Sequence, residues 1–244
     1  MIPEDPPSCQ VGQVKMLLNG ASGRMGQRIE EVVRRSTDGV IIVARRDEGS
    51  ADASVPSVDV VVDFSSDEGA QHAAEVALKG RSALLIGTTG LSEATLEVIR
   101  RASTTIPVLV APNTSLGVAV MRALVVEAAA LLGQVCTVAI SETHHTRKVD
   151  RPSGTALLLA DAVERGSGHR MDRSSIASRR EGDVIGDHTV TFTLTHEEFT
   201  LSHHAVDREL FAEGAVRLAR WISRQRPGFY SLDDWFADHR RRTR

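Results

Sequence analysis

Val14-Lys15-Met16-Leu17-Leu18-Asn19-Gly20-Ala21-Ser22-Gly23-Arg24-Met25-Gly26 is the stretch that decides the fold. Val14 to Leu18 is a short apolar run of strand length, Asn19-Gly20 breaks it, and Ile29, Val32 and Val33 resume at helical spacing. A strand, a glycine turn and a helix in that order open a dinucleotide-binding fold. Bare backbone can approach a pyrophosphate there, at a helix N-terminus whose unpaired N–H groups and dipole favour anions. Gly23 and Gly26 keep the spacing of the last two fingerprint glycines, and Ala21 stands where the first is usual. Gly20, Ala21, Ser22, Gly23, Arg24 and Met25 are therefore candidate cofactor residues. A mere tight turn before a helix is the competing reading.

Outward from this loop, Val40–Ala44, Val58–Phe64, Ala83–Ile86 and Val108–Ala111 read as further strands, with polar helical segments near 68–79 and 92–102. Strands that are apolar nearly throughout and alternate with helices imply a doubly wound parallel sheet, an α/β Rossmann-type domain. The second strand ends in Arg45-Arg46-Asp47, at the place where an acid would bind the ribose of NAD. Two guanidiniums there suit a 2′-phosphate, so NADPH is expected to be preferred, with Asp47 leaving NADH usable; two solvated surface charges are the alternative. Phe64 after the third strand, Gly87-Thr88-Thr89 after the fourth and Ala111-Pro112-Asn113-Thr114 after the fifth fall on the edge where open α/β sheets bind ligands. They are candidates for holding the nicotinamide and its ribose, with Phe64 flanking the ring; ordinary turns are the alternative.

Past Asn113 the rhythm changes. An apolar helix over about 117–132, a strand at 135–142, a helix opening near Ser153, strands at 189–195 and 198–204 and a final helix over 206–224 describe a second, α+β domain with a mixed sheet. The expected division is 14–114 plus 218–244 for the cofactor and 115–217 for the substrate. Glu142-Thr143-His144-His145-Thr146-Arg147-Lys148-Val149-Asp150-Arg151-Pro152-Ser153-Gly154-Thr155 packs acids, bases and an anion site together. Ser153-Gly154-Thr155 precedes an apolar helical run, so hydroxyls and open N–H groups should face outward at a helix start, suiting a carboxylate. His144 or His145 can exchange a proton near neutral pH, and Lys148 adds a cation. Adjacent histidines on a strand point to opposite faces, so one is expected to be catalytic and the other to orient. Neighbouring histidines on one strand with no cysteine beside them do not chelate one metal well, so no metal is expected.

The 244 residues carry a formal net charge of −3, 41% hydrophobic residues and 4% aromatics. Such a chain has enough apolar content for a core and no field that draws it to nucleic acid or an anionic membrane. The longest apolar stretch, Leu116 to Gly133, is interrupted by Arg122 and Glu127, which excludes a membrane span. Cys9 and Cys136 are too few for a disulfide framework, and reduced cytoplasm fits. Residues 1–13 read as a loose tail without the character of a signal peptide.

Taken in order, the glycine loop, Val62-Asp63-Phe64-Ser65, Gly87-Thr88-Thr89-Gly90, Ala111-Pro112-Asn113, His144-His145 with Lys148, Pro152-Ser153-Gly154-Thr155-Ala156, the run Arg180 to His188 and Gly214-Ala215-Val216-Arg217 resemble the 4-hydroxy-tetrahydrodipicolinate reductase family. The resemblance covers Lys15 to about Trp235. It implies NAD(P)H-dependent reduction of a cyclic dicarboxylate in lysine and diaminopimelate biosynthesis, by a homotetramer joined through the sheets of the substrate domain. It also implies that His144 and Lys148 supply protons, that His145, Ser153, Gly154 and Thr155 bind substrate, and that Arg217 lies near a carboxylate. A different two-domain dehydrogenase and a cofactor-sensing module without turnover are the readings that compete with it.

Overall fold

The computed structural model describes residues 12–37, 39–47, 49 and 56–242. Most of the expected tail lies outside the described residues. The chain divides into two compact units, residues 1–112 with 212–244 and residues 113–211. The second crossing comes at 211/212, earlier than the expected 217/218, and this places Arg217 in the first unit.

The first unit is a six-stranded parallel sheet. Its strands are β1 (Val14–Asn19), β2 (Val40–Arg46), β3 (Val60–Asp63), β4 (Ala83–Ile86), β5 (Pro107–Val110) and β10 (Gly228–Tyr230), in the order β10-β5-β4-β3-β1-β2. All four residues of β3 and of β4 are buried, as strands covered on both faces must be. Helices α1 (Arg24–Arg35), α2 (Asp67–Gly80) and α3 (Glu93–Ala102) provide the cover. Ala70, Ala73, Ala74 and Ala77 let α2 come close to the sheet, where they pack with Leu17, Val61 and Leu84 in one core. The hydroxyls of Ser66 and Ser92 cap α2 and α3 by accepting the N–H groups of Gly69 and Thr95. Chain order reverses across β1, whose neighbours are β2 and β3, so the binding crevice of such a sheet opens at their C-terminal ends.

The second unit sets α4 (Leu116–Leu132) and α5 (Gly154–Ser167) on one face of a four-stranded sheet. The sheet order is β7 (Ala177–Arg180), β6 (Thr137–His144), β8 (Asp187–Thr193), β9 (Glu198–His204). β6 pairs with β7 in parallel and with β8 antiparallel, so the sheet is mixed as expected. Ile140, Val190 and Phe192 point into the helices, and the alternate threonines of β8 point away. β6 begins and ends two residues later than the sequence suggests, which carries it through His144.

α6 (Glu209–Ile222) is shorter than the expected terminal helix and is not the last element. β10 and α7 (Leu232–Arg242) follow it, with the Trp221 indole donating to Asp238 Oδ2 at 2.9 Å. No described helix is long and apolar enough to cross a membrane.

Candidate active site

In the first unit the ends of β1, β2 and β3 enclose a cavity of about 670 Å³. Asn19, Gly20, Ser22, Gly23, Arg46, Asp47 and Phe64 are among its lining residues. Gly20 has φ 80°, and a Cβ there would strike the Phe64 carbonyl; a Cβ on Gly26 would strike the carbonyl oxygens of Gly20 and Ala21. The loop is thus pressed against its own helix and against β3. Helix α1 starts with no acidic residue and no capping side chain, so its first N–H groups stay open to an anion. Asp47 Oδ1 accepts both the N–H and the hydroxyl of Ser22 at 2.8 Å, tying the end of β2 to the loop. Arg24 and Met25 begin α1, and Ala21 is buried beneath the turn. These residues fit a dinucleotide.

Arg45 and Arg46 part company, because neighbours on a strand face opposite ways. Arg46 lines the cavity, whereas Arg45 pairs with Glu30 of α1 at 2.5 Å. Below the cavity, buried Asp63 accepts from Asn19 Nδ2 at 2.7 Å and from the hydroxyls of Ser65 and Thr88, and the Ser65 N–H donates to Thr88 Oγ1 at 2.8 Å. Burial pushes the Asp63 carboxyl above its ordinary value despite these three donors. Thr88 is thereby a brace between the ends of β3 and β4. Gly87 lies directly under the Phe64 ring, while Thr89 is exposed.

Ala111 and Pro112 close the first unit, and Asn113 and Thr114 open the second. Thr114 is buried with its hydroxyl donated to the Phe211 carbonyl at 2.7 Å, and Asn113 Nδ2 donates to Thr155 Oγ1 at 2.8 Å. Two residues expected at the cofactor are therefore built into the unit that carries the histidines.

There His144, 7% exposed at the end of β6, hydrogen-bonds through Nδ1 to Glu142, which is 2% exposed. Arg180 of β7 places one guanidinium nitrogen 2.9 and 3.0 Å from the two Glu142 oxygens. Arg180 also donates to the carbonyls of Lys148 and Asp150, fixing the loop that leaves β6. Burial works against the Glu142 charge, but the hydrogen bonds from Arg180 and His144 bring its carboxyl below its ordinary value. His144 is lowered by burial, with Glu142 opposing and Lys148 and Arg180 adding to the fall. Its free nitrogen, Nε2, stays reachable because position 186 is glycine: a Cβ there would lie 3.0 Å away.

Lys148 Nζ sits 2.8 Å from Asp150 Oδ1. Ser153 caps α5, accepting the Ala156 N–H at 3.2 Å, and its oxygen lies 3.1 Å from His188 Nε2. Gly154 is exposed at the first helical position with nothing within 4 Å of where a Cβ would be. His145 is off the strand and makes no bond to His144; burial lowers its pKa, with Arg208 and Arg147 contributing. The group that orients His144 is Glu142, two residues back on the same face, not the adjacent histidine. Arg180 and His188 also belong to this cluster, and no local pattern around residue 144 points to them. Arg217 is exposed on α6 of the first unit. Among the described residues no group of three or more His, Cys, Asp or Glu is arranged to hold a metal ion.

The family models for the N-terminus and the C-terminus of dihydrodipicolinate reductase match residues 14–114 and 117–236. The 4-hydroxy-tetrahydrodipicolinate reductase of Zymomonas mobilis subsp. mobilis is 39% identical, over 91% of this chain and 96% of its own. That of Caulobacter vibrioides is 36% identical with the same coverage. Among solved structures, a dipicolinate-bound dihydrodipicolinate reductase from Paenisporosarcina superposes with a TM-score of 0.74 at 22% identity, over 90% of this chain and 97% of that one, a likeness of fold. With both halves matched in order and full-length relatives matched nearly end to end, the chain belongs to the dihydrodipicolinate reductase family, nicotinamide-dependent oxidoreductases with 4-hydroxy-tetrahydrodipicolinate reductase activity in lysine and diaminopimelate biosynthesis.

Proposed function

We propose that the His144 cluster and the start of α5 bind the cyclic dicarboxylate substrate, that His144 and Lys148 deliver its proton, and that the glycine loop holds NADPH in preference to NADH. The observation that carries this is the buried Glu142–Arg180 pair holding His144 by Nδ1, with Nε2 left uncovered beside Lys148. Reduction of the ring double bond left by loss of water needs a hydride and a proton, and the bound nicotinamide supplies the hydride. His144 passes the proton at Nε2. Its depressed pKa leaves the resting ring mostly neutral, and a bound dicarboxylate brings negative charge that favours loading the proton when substrate is present. Open N–H groups at Gly154 and Thr155, with His145 nearby in sequence, give the carboxylates their donors. Planar dipicolinate, the ligand of the Paenisporosarcina protein, is the type of inhibitor this site should take.

The first test follows NADPH oxidation with freshly generated 4-hydroxy-tetrahydrodipicolinate. His144→Gln should lower kcat at least about a hundredfold, the usual scale of an acid–base contribution, with cofactor binding intact. Near-normal turnover would remove the histidine from the mechanism. For the cofactor, Arg46→Ala should raise the KM for NADPH several times more than that for NADH, and Arg45→Ala should leave the ratio alone, because Arg45 is paired with Glu30 on the other face. Equal effects of Arg46→Ala on both cofactors would end the 2′-phosphate assignment. The working enzyme is a cytoplasmic homotetramer in this reading, joined through the sheets of the second unit.

A further inference from the structure

His188 of β8 is 4% exposed and is not required by the chemistry above. Its ring meets that of His144 edge-on, with centroids 5.0 Å apart and planes at 74°. Nε2 lies 3.1 Å from Ser153 Oγ, and Nδ1 is buried with no hydrogen-bond partner.

A serine hydroxyl has one proton and two lone pairs. One lone pair of Ser153 takes the Ala156 N–H. The hydroxyl proton then either goes to His188 or points elsewhere. In the first arrangement His188 carries its own proton on Nδ1, and that N–H is orphaned in the interior. In the second, Nε2–H donates to the serine and Nδ1 is a bare acceptor; an unmet buried N–H is the rarer and costlier defect. Burial also pushes the His188 pKa down to about 4, so the ring holds a single proton at neutral pH.

We infer that His188 is a positioning residue: its Nε2–H fills the second lone pair of Ser153, leaving the serine hydroxyl an obligate donor to a substrate carboxylate. The inference rests on the substrate assignment made above. Thr155 has a parallel device. Asn113 Oδ1 is held by the Ser115 N–H at 2.9 Å, which commits its Nδ2 to donating into the Thr155 oxygen. Two hydroxyls at the start of α5 are each backed by a donor, which frees their protons for another acceptor; Ser153 is 1% exposed, so its proton reaches only an anion seated directly on the helix start.

Glutamine and methionine are close in shape, and only glutamine carries an N–H that can replace Nε2–H. In folded protein, checked by thermal melting, His188→Met should raise both the substrate KM and the dipicolinate inhibition constant about tenfold, the scale of one hydrogen bond to a charged group. His188→Gln should recover most of that loss, and kcat should move less than KM. In a Ser153→Ala background both substitutions should be silent. Equal losses for glutamine and methionine, or additive effects with Ser153→Ala, would overturn the inference while leaving the substrate site in place. An unchanged KM and inhibition constant in Ser153→Ala alone would instead remove the serine from substrate binding, and this inference with it. Imidazole 15N shifts of the unmodified enzyme provide a check that needs no folded variant: a proton on Nε2 and a bare Nδ1 are expected, and the opposite tautomer overturns the assignment.

Discussion

In the proposed mechanism the bond from His144 Nδ1 to Glu142 determines which ring nitrogen passes the proton and when it is charged. Burial lowers the His144 pKa, and Glu142 opposes that fall by hydrogen bond and by charge. In Glu142→Gln the opposition is lost and the pKa falls further. A group that acts as an acid is needed protonated, so activity declines as pH rises through its pKa. The declining limb of kcat/KM should therefore move to lower pH in Glu142→Gln, with kcat at neutral pH down about tenfold or more. An unmoved limb would mean Glu142 serves structure alone. The substitution also strands Arg180, whose side chain is 3% exposed, and should cost about 3 kcal/mol in a denaturant titration. The stabilising share of Glu142 has a definite pH sign. Its folded carboxyl lies below its ordinary value, so that share is present above the unfolded pKa and drains away as pH falls through the folded one. His144, Lys148, Ser153 and Gly154 were legible in the sequence because they are close together in it. Glu142 was legible in principle, by the two-residue period of a strand. Arg180 and His188 were not, since they reach the cluster through strand pairings to β6 that no local pattern encodes.

Glycines at two helix starts separate packing from binding. Gly26 faces backbone oxygens across the loop, and Gly154 faces open space. Gly26→Ala must push α1 off the loop; a lowered melting temperature and weakened binding of both nicotinamide cofactors are expected, with a cost of about 1–3 kcal/mol for overpacking. Gly154→Ala adds a better helix former where no neighbour objects, so the melting temperature should hold or rise. Its substrate KM should nonetheless increase, because the new methyl stands where a carboxylate would meet the α5 N–H groups. An unchanged KM would place the carboxylate elsewhere. At this scale the sequence spoke plainly wherever burial was two-sided, as in β3 and β4 with every residue apolar or, at Asp63, internally satisfied. It was silent on β7, a charged edge strand of four residues, and on β10, of three, because neither has an apolar run long enough to register. The helix expected from Val206 starts later because Val206 is apolar yet 80% exposed in the connection before α6.

Within the second unit the described helices cover one face of the sheet. Ile140, Val190 and Phe192 meet α4 and α5, while the centre of the opposite face is Thr137, Ala139, Ser141, Thr189, Thr191, Thr200 and Ser202, with Arg179, Asp187, Glu198 and His204 at its margins. Thr191 and Thr200 are cross-strand partners with hydroxyls 3.3 Å apart, and Thr189 and Ser202 repeat the pair at 3.0 Å. The charged side chains of this face, Arg179, Asp187, Glu198 and His204, sit on the edge strand or at strand ends, and its centre is uncharged, small and β-branched. Those are properties of a surface that packs flat on another sheet, and another copy of this chain offers the same surface about a twofold axis. Static light scattering on the eluting protein should give four times the 26.4 kDa of the chain. Thr191→Arg sets a cation at the middle of the face and, across the axis, against its own copy, so the tetramer should fall to smaller species while the melting temperature of the separated chain changes little. A native enzyme that elutes as a monomer, or a Thr191→Arg variant that stays tetrameric, would remove this face from the assembly. The alternation of polar and apolar residues in β8 showed that one face is outward, but the sequence of a single chain does not say what an outward face meets.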